Sequence, residues 1–440
     1  MPGPLVARGV ATARFRWYTL AQAVSIVGTT MSLTALYWLA LRLAHGRAAV
    51  LALLVAAQFL PMLLFSRRAG VIAGRHPAAR VVIVTQAALA AGSLAIGLPL
   101  LAGWLPVWYL WALSFAVGCA QTLDVTGRQL FMNELVGPAE LRRGTSRYAA
   151  VTGLAKIAGP GIAGLLIAAS GEAVVFLADA ASFLLVIAVL AVLARGVAGV
   201  GPAREARPAT PGRRLRWVLD LPRGIQLAAG MALLIGGFGI QFEVTNPLMA
   251  TRVLHLGPVG FGLLGTCLAV GGIAANLITS RRRDPGRAEF LGWAVLFGAA
   301  ETAAALMPAV WAYDAMLAVV GAAIQLFAVS ATVYVQQHAA PAQRGLALSA
   351  YNGAFMGFVP AGSFAVAAVA AVAGVRWALA GPGIVIAVVA GLALLAGARA
   401  VKPAPGRAAV NAAPPGHRCL PTAETHKGSC FARAARGCEP

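Results

Sequence analysis

Apolar residues along this chain come in runs of about twenty, with polar residues gathered into short segments between them. A run of that length, wound as a helix, matches the hydrocarbon thickness of a bilayer. The pattern predicts spanning helices near 17–41, 49–66, 81–102, 105–128, 148–169, 173–194, 225–245, 259–280, 288–308, 311–335, 346–373 and 376–398. A basic stretch at 195–224, containing Pro202, Pro208, Pro211 and Gly212, divides six runs from six. The predicted organisation is a segment at 1–16, a six-helix bundle at 17–194, a linker, a second bundle at 225–398 and a disordered Pro/Ala/Gly/Arg-rich tail at 399–440. The run beginning at Trp17 is too long for a cleaved leader and has no convincing cleavage site, so it is read as the first span.

Composition agrees with lipid as the solvent. The 440 residues are 60% hydrophobic and 11% charged, and a soluble chain of this length needs far more charge to cover its surface. The formal net charge of +21 would suggest nucleic acid in a soluble protein. Placement of the charge decides otherwise. Thirty of the 35 basic residues fall in predicted inner segments, against four in outer loops (Arg42, Arg47, Arg252, Arg376) and Lys156 within a span. This bias puts both termini in the cytoplasm and leaves no basic face for nucleic acid.

The two halves share a faint repeat. Pro138, Ala139, Ser146 and Tyr148 recur 203 residues later as Pro341, Ala342, Ser349 and Tyr351, and the same shift carries Arg80 onto Arg283. Duplicated six-helix halves joined by an inner linker imply a transporter that rocks about a site near the bilayer midplane. The expected fold is therefore all-α, with twelve transmembrane helices in two pseudo-repeated bundles.

Several segments resemble the drug-and-siderophore exporter branch of the major facilitator superfamily, which includes macrolide and enterobactin exporters. They are Leu123-Asp124-Val125-Thr126-Gly127-Arg128-Gln129, Glu134-Leu135-Val136-Gly137-Pro138 and Gly159-Pro160-Gly161-Ile162-Ala163-Gly164. Further similarity lies in Ser25-Ile26-Val27-Gly28-Thr29, Gln58-Phe59-Leu60-Pro61, Asp179 with Phe183, Pro247-Leu248-Met249-Ala250, and Arg344-Gly345 before Tyr351. The resemblance runs from about Arg14 to Val401 and implies export of an amphiphilic compound from a bacterial cell through its inner membrane. Two departures stand out. The loop motif after the second helix reads Gly70-Val71-Ile72-Ala73-Gly74-Arg75, with Gly74 where the family has an acid that holds the halves together. Thr126 stands where the family commonly has proline, so a local kink is expected to be missing.

Ionisable groups at membrane depth are costly and mark candidate sites. Asp124 and Arg128 lie four apart on one helical face and read as a gating or coupling pair, or as a structural ion pair. Lys156 precedes Gly159-Pro160, where a helix break would free carbonyls; it reads as an anion-binding or bending element, or as the partner of Asp124 or Asp179. Glu243, near Pro247, is the preferred proton-coupling group, because a carboxylate at membrane depth can take and release a proton as its surroundings change. Asp179 fits hydrogen bonding between helices, and Glu301 is a further embedded acid.

Gln22, Thr29, Gln58, Gln121, Gln241, Asn246, Gln325 and Asn352, with Trp38, Phe59, Phe242 and Phe355, are candidates for an amphiphilic cavity, or for helix-packing hydrogen bonds. Gly70, Ala73, Arg75 and Arg80 form the candidate inner loop motif. Gly260-Phe261-Gly262-Leu263-Leu264-Gly265 matches a dinucleotide fingerprint in letters only, since it lies within an apolar span and follows no strand. The tail residues Cys419, Cys430, Cys438, His417 and His426 match no metal-ligand spacing. The chain is thus expected to need no cofactor or metal and to act as a monomer on a small molecule and protons within a lipid bilayer. The competing reading is a transport-inactive or sensory protein on the same fold; a membrane enzyme finds no nucleophile constellation.

Overall fold

A computed structural model describes residues 4–194, 221–279, 285–340 and 343–400. Most of the predicted linker, the tail with its cysteines, Arg283 and the pair Pro341-Ala342 lie outside the described residues. Everything assigned as regular structure among the described residues is helical. In lipid only helices or closed barrels satisfy every backbone group, and unbroken apolar runs select the former.

The N-terminal half comprises α1 (Pro4–Leu43), α2 (Ala48–Arg75), α3 (Ala78–Leu101), α4 (Val107–Ser170) and α5 (Glu172–Ala194). The C-terminal half comprises α6 (Arg223–Leu234), α7 (Phe242–Leu248), α8 (Pro258–Thr279), α9 (Arg287–Leu306), α10 (Val310–His338), α11 (Arg344–Gly357), α12 (Val359–Val372) and α13 (Val375–Ala400). Eleven stretches among the described residues are long and apolar enough to cross a membrane. The twelfth crossing of the fold is the first part of α4, whose apolar character is diluted by Trp108, Tyr109, Gln121 and Asp124.

Helix α4 carries the fourth and fifth spans with no intervening loop. A straight helix from Arg128 to Tyr148 would separate those residues by about 30 Å, yet Tyr18 touches both. Its hydroxyl donates to Arg128 O at 3.4 Å, and its ring stacks on Tyr148 at 6.3 Å. The chain therefore reverses direction inside this helical run, at the inner end of the bundle.

Three expected local features come out differently. Span five does not break at Gly159-Pro160: α4 continues through both. Gly159 is packed directly on Thr30 of α1. The break falls instead in span seven, upstream of Pro247. There a π-helical turn at Ile235–Gly239 separates α6 from α7. Gly236, Gly237 and Gly239 weaken the helix at this point, and the backbone of span eleven presses against it through Gly362 and Phe355. The motif Gly70–Arg75 is not a loop but the last turns of α2, with Arg80 in the first turn of α3.

Within the halves, α1 packs on α4 and α5, α3 on α5, α8 on α10, and α9 on α10; across them, α4 packs on α8 and α2 on α12. Large apolar side chains such as Leu165, Val192, Val372 and Leu392 remain exposed around the rim, as expected where the solvent is lipid.

Candidate functional site

A cavity of about 650 Å³ lies between the halves. From the N-terminal half it is lined by Thr30, Thr34 and Tyr37 of α1, Gln58, Phe59, Met62 and Ser66 of α2, and Gln121, Thr122, Thr126, Lys156 and Pro160 of α4. From the C-terminal half come Phe242, Glu243 and Asn246 of α7 and Phe261, Gly265, Leu268 and Ala269 of α8. Apolar walls with a few polar groups suit an amphiphilic small molecule.

Beside this cavity the halves meet in close contacts between side chains and backbone. Thr266 Oγ1 lies 3.2 Å from Ile157 O, and Ser363 Oγ 3.2 Å from Ala52 O. Arg252 donates to Gly46 O at 2.6 Å, across a turn in which Gly46 has φ +80°. A Cβ at Gly164 would sit 2.7 Å from Pro258 O, so only glycine allows this approach. Met62, Ser66 and Thr126 extend the lining along α2 and α4.

Glu243 and Lys156 occupy opposite walls. Among the described residues neither belongs to a salt bridge, and Lys156 is exposed to the cavity while Glu243 is half-buried. The expected pairing of Lys156 with Asp124 or Asp179 is not formed. Both acids have closer partners inside the N-terminal bundle, and Lys156 points away from them into the cavity. Asp124 pairs with Arg128, accepts from Thr85 Oγ1 at 2.7 Å and from Gln86 Nε2 at 3.0 Å, and is 1% exposed. Asp179 accepts from Ser93 Oγ at 2.8 Å.

Of the polar candidates, Gln58, Gln121 and Asn246 reach the cavity. Gln241 does not: its Nε2 donates to Gly237 O at 2.7 Å, mending the broken ladder of span seven. Thr29 donates to Ser25 O at 2.9 Å and faces a smaller cavity within the N-terminal half. Gln22 is fully buried in α1, Gln325 donates to Asn276 Oδ1 at 3.0 Å, and Asn352 is exposed; none of these lines the central cavity. Glu301 is buried in α9 with one carboxylate oxygen unpartnered among the described residues. Trp38 stacks on the lining residue Phe261 at 5.6 Å, whereas Phe355 packs in the hydrophobic core. Gly74 has open space around its Cα, and Ala73 is buried.

Sequence reasoning missed Tyr37. Its hydroxyl donates to Gln58 Oε1 at 2.6 Å, and it lies within electrostatic reach of Glu243 across the interface. The one signal was a tyrosine near the end of an apolar run. That signal has no partner until the fold brings α2 and α7 alongside.

The family model for transmembrane secretion effectors matches residues 8–414. The chain belongs to that family. Its fold is that of a major facilitator transporter, as solved structures also show. A nucleoside transporter, NupG, superposes with a TM-score of 0.67 at 12% identity, covering 87% of this chain and 98% of its own. A bacterial homologue of the human lysosomal transporter Spinster, inward-facing and unoccupied, gives 0.66 at 12%, covering 88% and 97%. A bacterial homologue of the iron transporter ferroportin, also inward-facing, gives 0.65 at 16%, covering 88% and 98%. Among curated proteins none matches the sequence.

Proposed function

We propose that this secretion effector exports a small amphiphilic compound of the drug, macrolide or siderophore kind from a bacterial cell, exchanging it for protons across the inner membrane. The observation that carries this reading is the cavity of about 650 Å³ shared by both halves, with Glu243 on one wall and Lys156 on the other. A substrate bound there touches both halves, so its binding free energy acts on the rocking equilibrium. The export direction is supported by the secretion named in the family description and by the exporter-like segments of spans four and five.

Glu243 is assigned the proton. Ionised, it holds a charge at the interface that water or a cationic ligand must satisfy; protonated, it lets the apolar walls close around it. Lys156 supplies a fixed positive charge that orients the polar end of the substrate. The test is flux in liposomes: purified protein should move a lipophilic cation or a macrolide when a pH gradient is imposed. Glu243→Gln should abolish gradient dependence and retain ligand binding. Flux at the level of empty liposomes under both gradient directions sinks the export reading in favour of a sensory protein, and unchanged gradient-driven flux in Glu243→Gln removes Glu243 from the coupling role.

A further inference from the structure

A second, smaller cavity of about 50 Å³ lies wholly inside the N-terminal half, and the export mechanism makes no use of it. Its polar lining comprises Thr29 and Ser32 of α1, Ser93 of α3, Ser114 and Gln121 of α4, and Asp179 of α5. Asp179 is 2% exposed, and among the described residues no basic side chain forms a salt bridge with it. One carboxylate oxygen accepts from Ser93 Oγ at 2.8 Å. The other has Ser182 Oγ at 3.5 Å, a hydroxyl that gives its hydrogen to the Asp179 carbonyl at 2.7 Å, and the Ser32 hydroxyl also lies within hydrogen-bonding reach of the carboxylate. A carboxylate offers about four acceptor positions, so part of this capacity is left for the cavity. Ser114 adds an independent sign. It is 3% exposed, lines the same cavity, and its hydroxyl has no hydrogen-bond partner among the described residues.

We propose that this cavity binds a monovalent alkali cation, sodium by size, through Asp179 with the hydroxyls of Ser32, Ser93 and Ser114. The donors are all hard oxygens, which suit alkali and alkaline-earth ions and not transition metals. One carboxylate among neutral hydroxyls balances a single positive charge, whereas a divalent ion would leave net charge at membrane depth. The volume holds a small cation together with about two water molecules. The site also touches the central cavity: Leu33, Gln58 and Gln121 line both, and Gln58 is held by the Tyr37 hydroxyl at 2.6 Å. Occupancy at Asp179 is therefore one side chain away from the substrate.

Equilibrium binding of radioactive sodium to the purified full chain tests this, with choline chloride holding ionic strength constant. Wild-type protein should bind saturably, Asp179→Asn should weaken binding by at least about tenfold, and Ser114→Ala, which removes one oxygen and little volume, should weaken it several-fold. No saturable binding to wild-type protein overturns the proposal. So does equal binding by Asp179→Asn, or by Ser114→Ala where Asp179→Asn does not fold. The assay contains neither a proton gradient nor a drug, so its failure leaves the export reading intact, and failure of drug flux leaves this site intact.

Discussion

At the inner end of the N-terminal half, Asp124 is enclosed by Arg128, Thr85 and Gln86; on the cavity wall of the other half, Glu243 has no ion-pair partner among the described residues. Both are carboxylates within spanning segments, and sequence reads the first as half of a pair with Arg128 and the second as the proton-coupling group. Their surroundings give them opposite consequences. The Asp124 cluster satisfies its charge with groups of the N-terminal half and ties α3 to α4. Glu243 faces a space whose other wall belongs to the N-terminal half. A charge satisfied within one half stabilises that half, and a charge left at the boundary responds to any motion between halves.

The strongest way to break this contrast is to unpair the inner cluster. Asp124→Asn leaves Arg128 uncompensated, and it should cost about 3–5 kcal/mol, read as a large fall in the thermal unfolding midpoint in detergent. The double change Asp124→Asn with Arg128→Gln should recover much of that loss; no recovery would mean that the hydrogen bonds of Thr85 and Gln86 dominate. Next in size is the contact between α4 and α8. Gly164→Val places a side chain against Pro258 O and should bias against this close approach by about 1–3 kcal/mol. A longer spin-label distance between the outer ends of α4 and α8 would register it. Gln241→Leu should cost about 1–2 kcal/mol by orphaning carbonyls at the break in span seven, again read by thermal unfolding. The smallest effect on stability, within about 0.5 kcal/mol, is expected for Glu243→Gln, the same change that should abolish gradient-driven flux. A large loss of stability there would make Glu243 a structural acid like Asp124.

The outer arginines show how far charge placement can be read from sequence. Counted as exceptions to an inward bias, they gain individual roles only in three dimensions. Arg42 pairs with Glu172 at 3.2 Å, Arg252 reaches Gly46 O, and Arg376 donates to Ala305 O at 2.9 Å near the C-terminal end of α9. Two weak points in the spanning helices make the same point. Gly-Pro in span five and glycines in span seven both weaken a helix locally, but the first stays helical, whereas the backbone of span eleven crowds the second.

The run lengths determined by themselves that this chain folds as spanning helices, and the loop charges and the 203-residue echo set the expectation of two bundles with the termini inside. Each of these follows from local physics: a helix must cross about 30 Å of hydrocarbon, and basic residues resist being carried across it. Sequence also picked out Asp124 and Arg128 as neighbours, because four residues of helix fix their distance. Only the tertiary structure decided that Lys156 faces the cavity and not an acid, that Gln241 repairs a backbone while Gln58 joins two cavities, and that Tyr37 belongs with Glu243. Those facts depend on which face of one apolar helix meets another. In lipid both faces of a helix are apolar, so the pattern along the chain carries little trace of which one turns inward.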